Sequence, residues 1–266
     1  MRAQIKDITL AYDVNGNGKG RPILFLHGYP LNRKSWRPQV ELLIDAGLVI
    51  APDQRGHGES DAPAVPYSID RLADDAAALL DELGLSQPAV VVGLSMGGYV
   101  ALAFYRRHMD RVAGLVLAST RAGADSDVGK ANRDKSIALA KEKGVDAIVE
   151  AMLPKMLAPE SYQTRPGLVD DVRHIMASTP LNGVVGDLGA MRDRQDSTEL
   201  LGGILKPVLV IHGQEDQLIP PSEAEAAFAR LPNARLALMP GAGHLVNLEQ
   251  PEAFNAEVRI FLRTVE

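Results

Sequence analysis

The segment Gly93-Leu94-Ser95-Met96-Gly97, followed by Gly98, sets a serine between glycines at the end of a valine-rich run and the start of an apolar stretch. A serine hydroxyl is a weak nucleophile until a base removes its proton. The chain has six histidines, and His244 is the one placed to act. It stands in Gly241-Ala242-Gly243-His244, a glycine-rich loop just after the apolar run Arg235 to Met239. Such a base needs a carboxylate that fixes its tautomer and stabilises the imidazolium. Asp216 fills that role, in the turn Gly213-Gln214-Glu215-Asp216 after the run Val208 to Ile211, with Glu215 as its nearest competitor. Acyl transfer also needs two N–H donors aimed at the developing oxyanion. Met96 supplies one from the first turn of the helix expected after Ser95, where the partial positive charge helps. Tyr29, in His27-Gly28-Tyr29-Pro30, is placed to supply the other, because Gly28 lets that loop approach the serine.

The remaining histidines are less eligible. His212 ends an apolar run and His27 shapes a turn, so both read as structural. His57, His108 and His174 lack a catalytic setting. No pair of histidines has metal-ligand spacing beside a carboxylate, so no metal is expected. Acyl transfer of this type needs no cofactor. The chain has no cysteine, which excludes thiolate catalysis, disulfides and cysteine-held metals.

These residues need elements to position them. Ile23 to Leu26, Val49 to Ala51, Ala89 to Val92, Leu115 to Leu117 and Val208 to Ile211 are short and rich in Val, Ile and Leu. Such runs read as strands buried on both faces of a parallel sheet. Helix-period stretches separate them, the clearest running from Leu72 to Leu83 and ending at Gly84. The alternation implies a doubly wound sheet with right-handed crossovers. Gln4 to Val14 alternates apolar and polar residues, as an antiparallel edge hairpin does.

The stretch 121–197 differs: it has no strand-like run, and its helical segments are broken at Pro154, Pro159, Pro166 and Pro180. It reads as a helical cap inserted into a core made of 1–120 and 198–266, with ordinary core helices as the alternative. Met152, Met156, Met176 and Met191 all fall in it. Methionine is flexible and polarizable, so these side chains suit an adaptable pocket for apolar acyl groups. Leu94, Trp36, Pro30, Met152 and Met156 are the pocket residues this reading favours, with Leu94 and Trp36 equally suited to simple packing.

Composition bounds the rest. With 266 residues, 46% hydrophobic and 23% charged, the chain can bury a large core. Its 28 basic and 34 acidic residues leave a net charge of −6, which offers no footprint for nucleic acid or anionic lipid. No basic segment precedes an apolar run at the start, and no window has the length of a membrane helix, so a cytoplasmic protein is the expectation.

The motifs His27-Gly28, Asp53-Gln54-Arg55-Gly56-His57-Gly58-Glu59-Ser60, Gly93 to Gly98, Gly213 to Asp216 and Gly243-His244 resemble those of the α/β-hydrolase superfamily. They occur in its order, Ser then Asp then His, over almost the whole chain. Small bacterial carboxylesterases and 3-oxoadipate enol-lactonase-like enzymes are the most similar members. The resemblance implies a mostly parallel eight-stranded sheet with helices on both faces, a helical cap and a Ser95–His244–Asp216 triad. It implies a structural turn at Asp53, Arg55 and Ser60. Haloalkane dehalogenases and epoxide hydrolases carry aspartate at the elbow, so Ser95 argues against both. Met96 stands where aminopeptidase relatives carry tryptophan. The expected activity is hydrolysis of a small-molecule carboxylic ester or lactone. Perhydrolysis, carbon–carbon hydrolysis or lyase chemistry on the same triad, and a non-catalytic ligand receptor remain open alternatives.

Overall fold

Runs of Val, Ile and Leu without charges cannot face water on either side, and the chain stacks them as neighbours in one sheet. The structure, a computed structural model, describes residues 1–266 apart from Asn17, Lys19 and Glu266. Its strands are β1 (Arg2–Ile5), β2 (Ile8–Asn15), β3 (Pro22–Leu26), β4 (Leu48–Pro52), β5 (Ala89–Leu94), β6 (Val112–Ala118), β7 (Val208–Gly213) and β8 (Ala234–Met239). They form one eight-stranded sheet in the order β1-β2-β4-β3-β5-β6-β7-β8. β1 and β2 are the antiparallel hairpin expected from Gln4 to Val14, and β2 pairs antiparallel with β4. All other pairings are parallel.

The helices are α1 (Arg37–Leu42), α2 (Ile69–Glu82), α3 (Met96–Arg107), α4 (Asp127–Lys143), α5 (Val145–Met152), α6 (Ser161–Thr164), α7 (Pro166–Ala177), α8 (Leu181–Arg192), α9 (Pro221–Arg230), α10 (Val246–Glu249) and α11 (Pro251–Leu262). Every residue of β3, β5 and β7 is buried, because both faces of these strands are covered. On β5, Val91 joins a core with residues of α2, α3 and α9, whereas Val90 and Val92 join a second core with α11 and Trp36. α2 begins earlier than the apolar period suggests, at Ile69, because the Ser68 side chain accepts a hydrogen bond from the Arg71 N–H at 3.1 Å and caps it. It ends as expected before Gly84, whose φ of +67° suits glycine.

The register fixes where chemistry can happen. Leu26 of β3 stands beside Gly93 of β5, Leu94 beside Ala118 of β6, and Gly213 of β7 beside Met239 of β8. The loops after these strands therefore leave from one edge of the sheet, and they carry Tyr29, Ser95, Asp216 and His244. Such an edge is where open parallel sheets bind ligands. Between β6 and β7 the chain is helical, α4 to α8, with no strand among these residues. α8 presses closely on the core: a Cβ on Gly183 would lie 1.8 Å from the Gly56 carbonyl oxygen, and one on Gly186 would lie 2.4 Å from the Tyr67 ring. Among the described residues, no helix is long and apolar enough to cross a membrane.

Candidate active site

Ser95 joins β5 to α3 with φ 54° and ψ −115°, a left-handed conformation that a residue with a side chain adopts only under constraint. Hydrogen bonds on both sides impose it. The Ser95 N–H donates to Ala118 O at 2.8 Å, and Ser95 O accepts from the Thr120 hydroxyl at 2.8 Å and from the Gly98 N–H at 2.9 Å. The flanking glycines are required by space. A Cβ on Gly93 would sit 2.2 Å from Gly97 O, and one on Gly97 would sit 2.0 Å from Leu26 O. The loop carrying Tyr29 passes close by, since a Cβ on Gly28 would be 3.2 Å from the Ser95 Cβ.

The loops after β7 and β8 bring a carboxylate to an imidazole. His244 Nδ1 lies 2.8 Å from Asp216 Oδ2, with both side chains buried. The other oxygen, Oδ1, accepts from the Leu218 and Ile219 N–H groups at 2.8 and 3.0 Å. Burial alone would push the Asp216 carboxyl up. His244, His212 and these N–H groups outweigh it and hold the group far below the usual carboxylate range. Glu215 is exposed, and its N–H donates to Ala242 O, so of the two acids only Asp216 faces the imidazole.

Ser95 and His244 line one cavity of about 100 Å³. Tyr29 and Tyr99 border it, as do the apolar side chains of Met152, Met191, Leu218 and Ile219. Two arginines, Arg121 and Arg133, also line it, and nothing in the sequence motifs points to them. A larger cavity of about 190 Å³ shares Tyr99 as a wall but contains none of Ser95, His244 and Asp216.

A family profile described as "alpha/beta hydrolase fold" matches residues 21–251. The chain belongs to the α/β-hydrolase family. A 3-oxoadipate enol-lactonase of Acinetobacter baylyi is 29% identical over 259 residues, covering 97% of this chain and 94% of that protein. A non-heme haloperoxidase of Rhodococcus erythropolis is 32% identical, covering 93% and 94%. A thermophilic esterase of Thermogutta terrifontis, solved with malate bound, superposes with a TM-score of 0.96 at 39% identity, covering 100% of this chain and 99% of that one.

In this α/β-hydrolase most of the expected pocket residues lie elsewhere. Trp36 is fully buried in the core, its ring 4.8 Å from Phe25 and 6.0 Å from Phe254. Leu94 is fully buried at the end of β5, in the same core as Val90 and Val92. Pro30 does not border the cavity, and its carbonyl accepts from the Thr179 hydroxyl at 2.8 Å. Met156 and Met176 are core residues. Met156 follows the 3₁₀ turn Leu153–Lys155 that breaks the helical period after Met152; of the four methionines expected at the pocket, Met152 and Met191 line the cavity.

Two supports were not apparent from the motifs. His212 reads as a structural strand-end residue, yet its Nε2 lies 3.2 Å from Asp216 Oδ2 and 2.9 Å from Ile219 O. Glu249 accepts from the Gly243 N–H at 2.6 Å, the Ala158 N–H at 2.8 Å and the Ser161 hydroxyl at 2.6 Å. It thereby ties the His244 loop to the helical insertion. Asp53 and Ser60 do form a turn: Asp53 accepts from the N–H groups of Arg33 and Glu59 at 2.8 Å each, and the Ser60 hydroxyl donates to Asp53 O at 2.6 Å.

Beside the Tyr29 loop lies a buried polar cluster. Burial pulls His27 down to about 4 and His57 to about 3, so both rings are neutral. His57 Nδ1 faces Arg55 O at 3.1 Å and must carry the proton there, which leaves Nε2 as an acceptor 3.4 Å from Asp187 Oδ2. Asp187 of α8 is fully buried, and among the described residues neither of its oxygens has a hydrogen-bond partner. Desolvation raises its pKa well above the ordinary aspartate value, which favours the neutral form.

A raised folded-state pKa contributes stability that is present at low pH and lost as pH rises. Above about pH 3.9 the unfolded chain ionises at Asp187 before the folded chain does, and stability falls by ~1.4 kcal/mol per pH unit until the folded group ionises too. Asp187→Asn keeps the shape and cannot ionise. It is expected to be more stable than the native protein at pH 7, by a margin that shrinks at pH 5. Urea unfolding at both pH values checks this, and a margin independent of pH would show that Asp187 is ionised in the folded protein.

Proposed function

We propose that the protein hydrolyses carboxylic esters or lactones by a two-step acyl-enzyme route. Ser95 attacks the carbonyl carbon while His244 accepts its proton, and Asp216 keeps the imidazole in the tautomer that can do so. The backbone N–H groups of Met96 and Tyr29 hold the oxyanion. His244 then returns the proton to the leaving alkoxide, and for a lactone the alcohol stays tethered to the acyl group. Water, deprotonated by the same imidazole, releases the acid and frees Ser95. The helices between β6 and β7 act as the cap over the substrate.

The observation that carries this reading is the 2.8 Å contact between His244 Nδ1 and a buried Asp216, with the constrained Ser95 in the same cavity as the imidazole. The esterase and enol-lactonase relatives support the same bond type. A second reading, in which peroxide replaces water at the acyl-enzyme, is favoured by the haloperoxidase relative. Aryl esters and lactones assayed with and without peroxide separate the two. Acid released at a steady rate without peroxide supports hydrolysis, and peracid accumulating as the main product supports the second reading. No turnover of any ester or lactone would sink both.

A further inference from the structure

Arg121 and Arg133 reach the catalytic cavity from two different elements. Arg121 follows β6 by three residues, just after the Thr120 that pins Ser95, and Arg133 lies on α4. Both converge on Asp125, whose side chain is only 1% exposed: Arg121 Nη2 lies 2.5 Å from Oδ1 and Arg133 Nε lies 3.0 Å from Oδ2. Arg194 joins them, its Nη1 at 2.8 Å from Oδ1. Three guanidinium groups thus share one carboxylate, an excess of two positive charges. Glu223 acts on Arg121 only at longer range, and Asp196, which lies nearer Arg194, is committed to the Ala124 and Thr198 N–H groups.

The three arginines are not equivalent. Arg194 is spent on structure: it donates to Met191 O at 2.7 Å and to Gly123 O at 2.6 Å, and its guanidinium sits 4.2 Å from the centre of the Tyr99 ring. Arg121 and Arg133 are 29% and 23% exposed, and Asp125 is their one hydrogen-bond partner among the described residues. Asp125 therefore acts as a buried anchor that holds both guanidinium groups at the cavity wall. Like charges kept together in a small cleft focus the field there and raise the local concentration of an oppositely charged ligand. A planar guanidinium presents paired N–H donors that match a carboxylate.

We propose that Arg121 and Arg133 form a recognition site for a free carboxylate on the substrate, so that the ester or lactone opened at Ser95 carries a second, ionised carboxyl group. This rests on the hydrolytic reading above and narrows its substrate class. It also revises the apolar acyl pocket expected from the methionines. Met152 and Met191 flank the cavity, where they suit the short carbon chain between the two carboxyl carbons, and the volume of about 100 Å³ keeps that chain to a few atoms.

The test compares two aryl esters of equal acyl length, p-nitrophenyl hydrogen succinate and p-nitrophenyl butyrate, with the native protein, Arg121→Gln, Arg133→Gln and Arg192→Gln. Arg192 lies on α8 in exposed pairs with Asp134 and Asp193 and serves as the control. The native protein should favour the succinate ester in kcat/KM by about ten- to a hundred-fold, mainly through KM, which is the range of a charge-assisted hydrogen-bonded pair. The ratio should fall toward one in Arg121→Gln and Arg133→Gln, and in the native protein at high salt, while Arg192→Gln keeps it. In parallel, free succinate should slow fluorophosphonate labelling of the native protein and lose that effect in the two cavity variants. Labelling and butyrate hydrolysis without any preference for succinate, or a preference that survives both substitutions, would overturn the carboxylate site alone. Absence of both labelling and ester hydrolysis would overturn the hydrolytic reading and this proposal with it.

Discussion

Ser95→Ala is expected to lower kcat on any ester substrate by about six orders of magnitude, the scale on which loss of a triad nucleophile is felt. The substitution removes one oxygen and keeps Cβ, so the φ of 54° and the backbone hydrogen bonds that impose it, donated to Ala118 and accepted from Thr120 and Gly98, are unaffected. Stability should therefore change by less than about 1 kcal/mol, a typical surface-scale effect. Thermal unfolding of the purified variant beside its turnover separates a lost nucleophile from a lost fold. Residual hydrolysis over water would come from the oxyanion donors and binding alone, on the order of a thousand-fold or more. Turnover within ten-fold of native would mean that Ser95 is a bystander at a strained turn.

Asp216→Asn carries the second largest expected effect, about four orders of magnitude in kcat. The carboxylate oxygen 2.8 Å from His244 Nδ1 can only accept, which places the proton on Nδ1 and leaves Nε2 free for the serine. An asparagine at 216 can donate its amide to Nδ1, which moves the ring proton to Nε2 and blocks proton transfer from Ser95. KM should change little, because Asp216 does not line the cavity. Glu215→Gln is the matched control: Glu215 is exposed, so its loss should leave turnover near native. The reverse outcome, a severe loss at Glu215 and a mild one at Asp216, would exchange the roles of the two acids.

The parts of this molecule that were legible from sequence are those set by local rules. Strands buried on both faces need unbroken Val and Leu runs, and β3, β5 and β7 fall where such runs occur. A strand–turn–helix in which a Cβ at 93 would lie 2.2 Å from Gly97 O, and one at 97 would lie 2.0 Å from Leu26 O, needs glycine at both positions, so the elbow is visible as a pattern. The arginine cluster had no such signal. Residues 121, 125, 133 and 194 come from three separate segments, and only the packing of α4 and the loop after α8 brings them onto one carboxylate. For Trp36 the sequence leaves pocket lining and simple packing equally open, because it does not say which side of the sheet the ring covers. The ring packs on Phe25 and Phe254. Glu249 and Asp187 resemble surface acids on helices, and only tertiary contacts reveal one as a clamp on the His244 loop and the other as a fully buried acid with a raised pKa.

The most direct test of the central claim is the site at which an active-site-directed phosphonate attaches. A fluorophosphonate reacts with a serine whose hydroxyl is deprotonated by a neighbouring base and whose oxyanion is stabilised, and it spares ordinary surface serines. Peptide mapping of the labelled native protein should find one adduct per chain, on Ser95, with no labelling after Ser95→Ala and labelling slowed by orders of magnitude after Asp216→Asn. An intact protein that hydrolyses esters yet carries the adduct on another residue, or on none, would contradict the assignment of Ser95, His244 and Asp216 as the reacting unit.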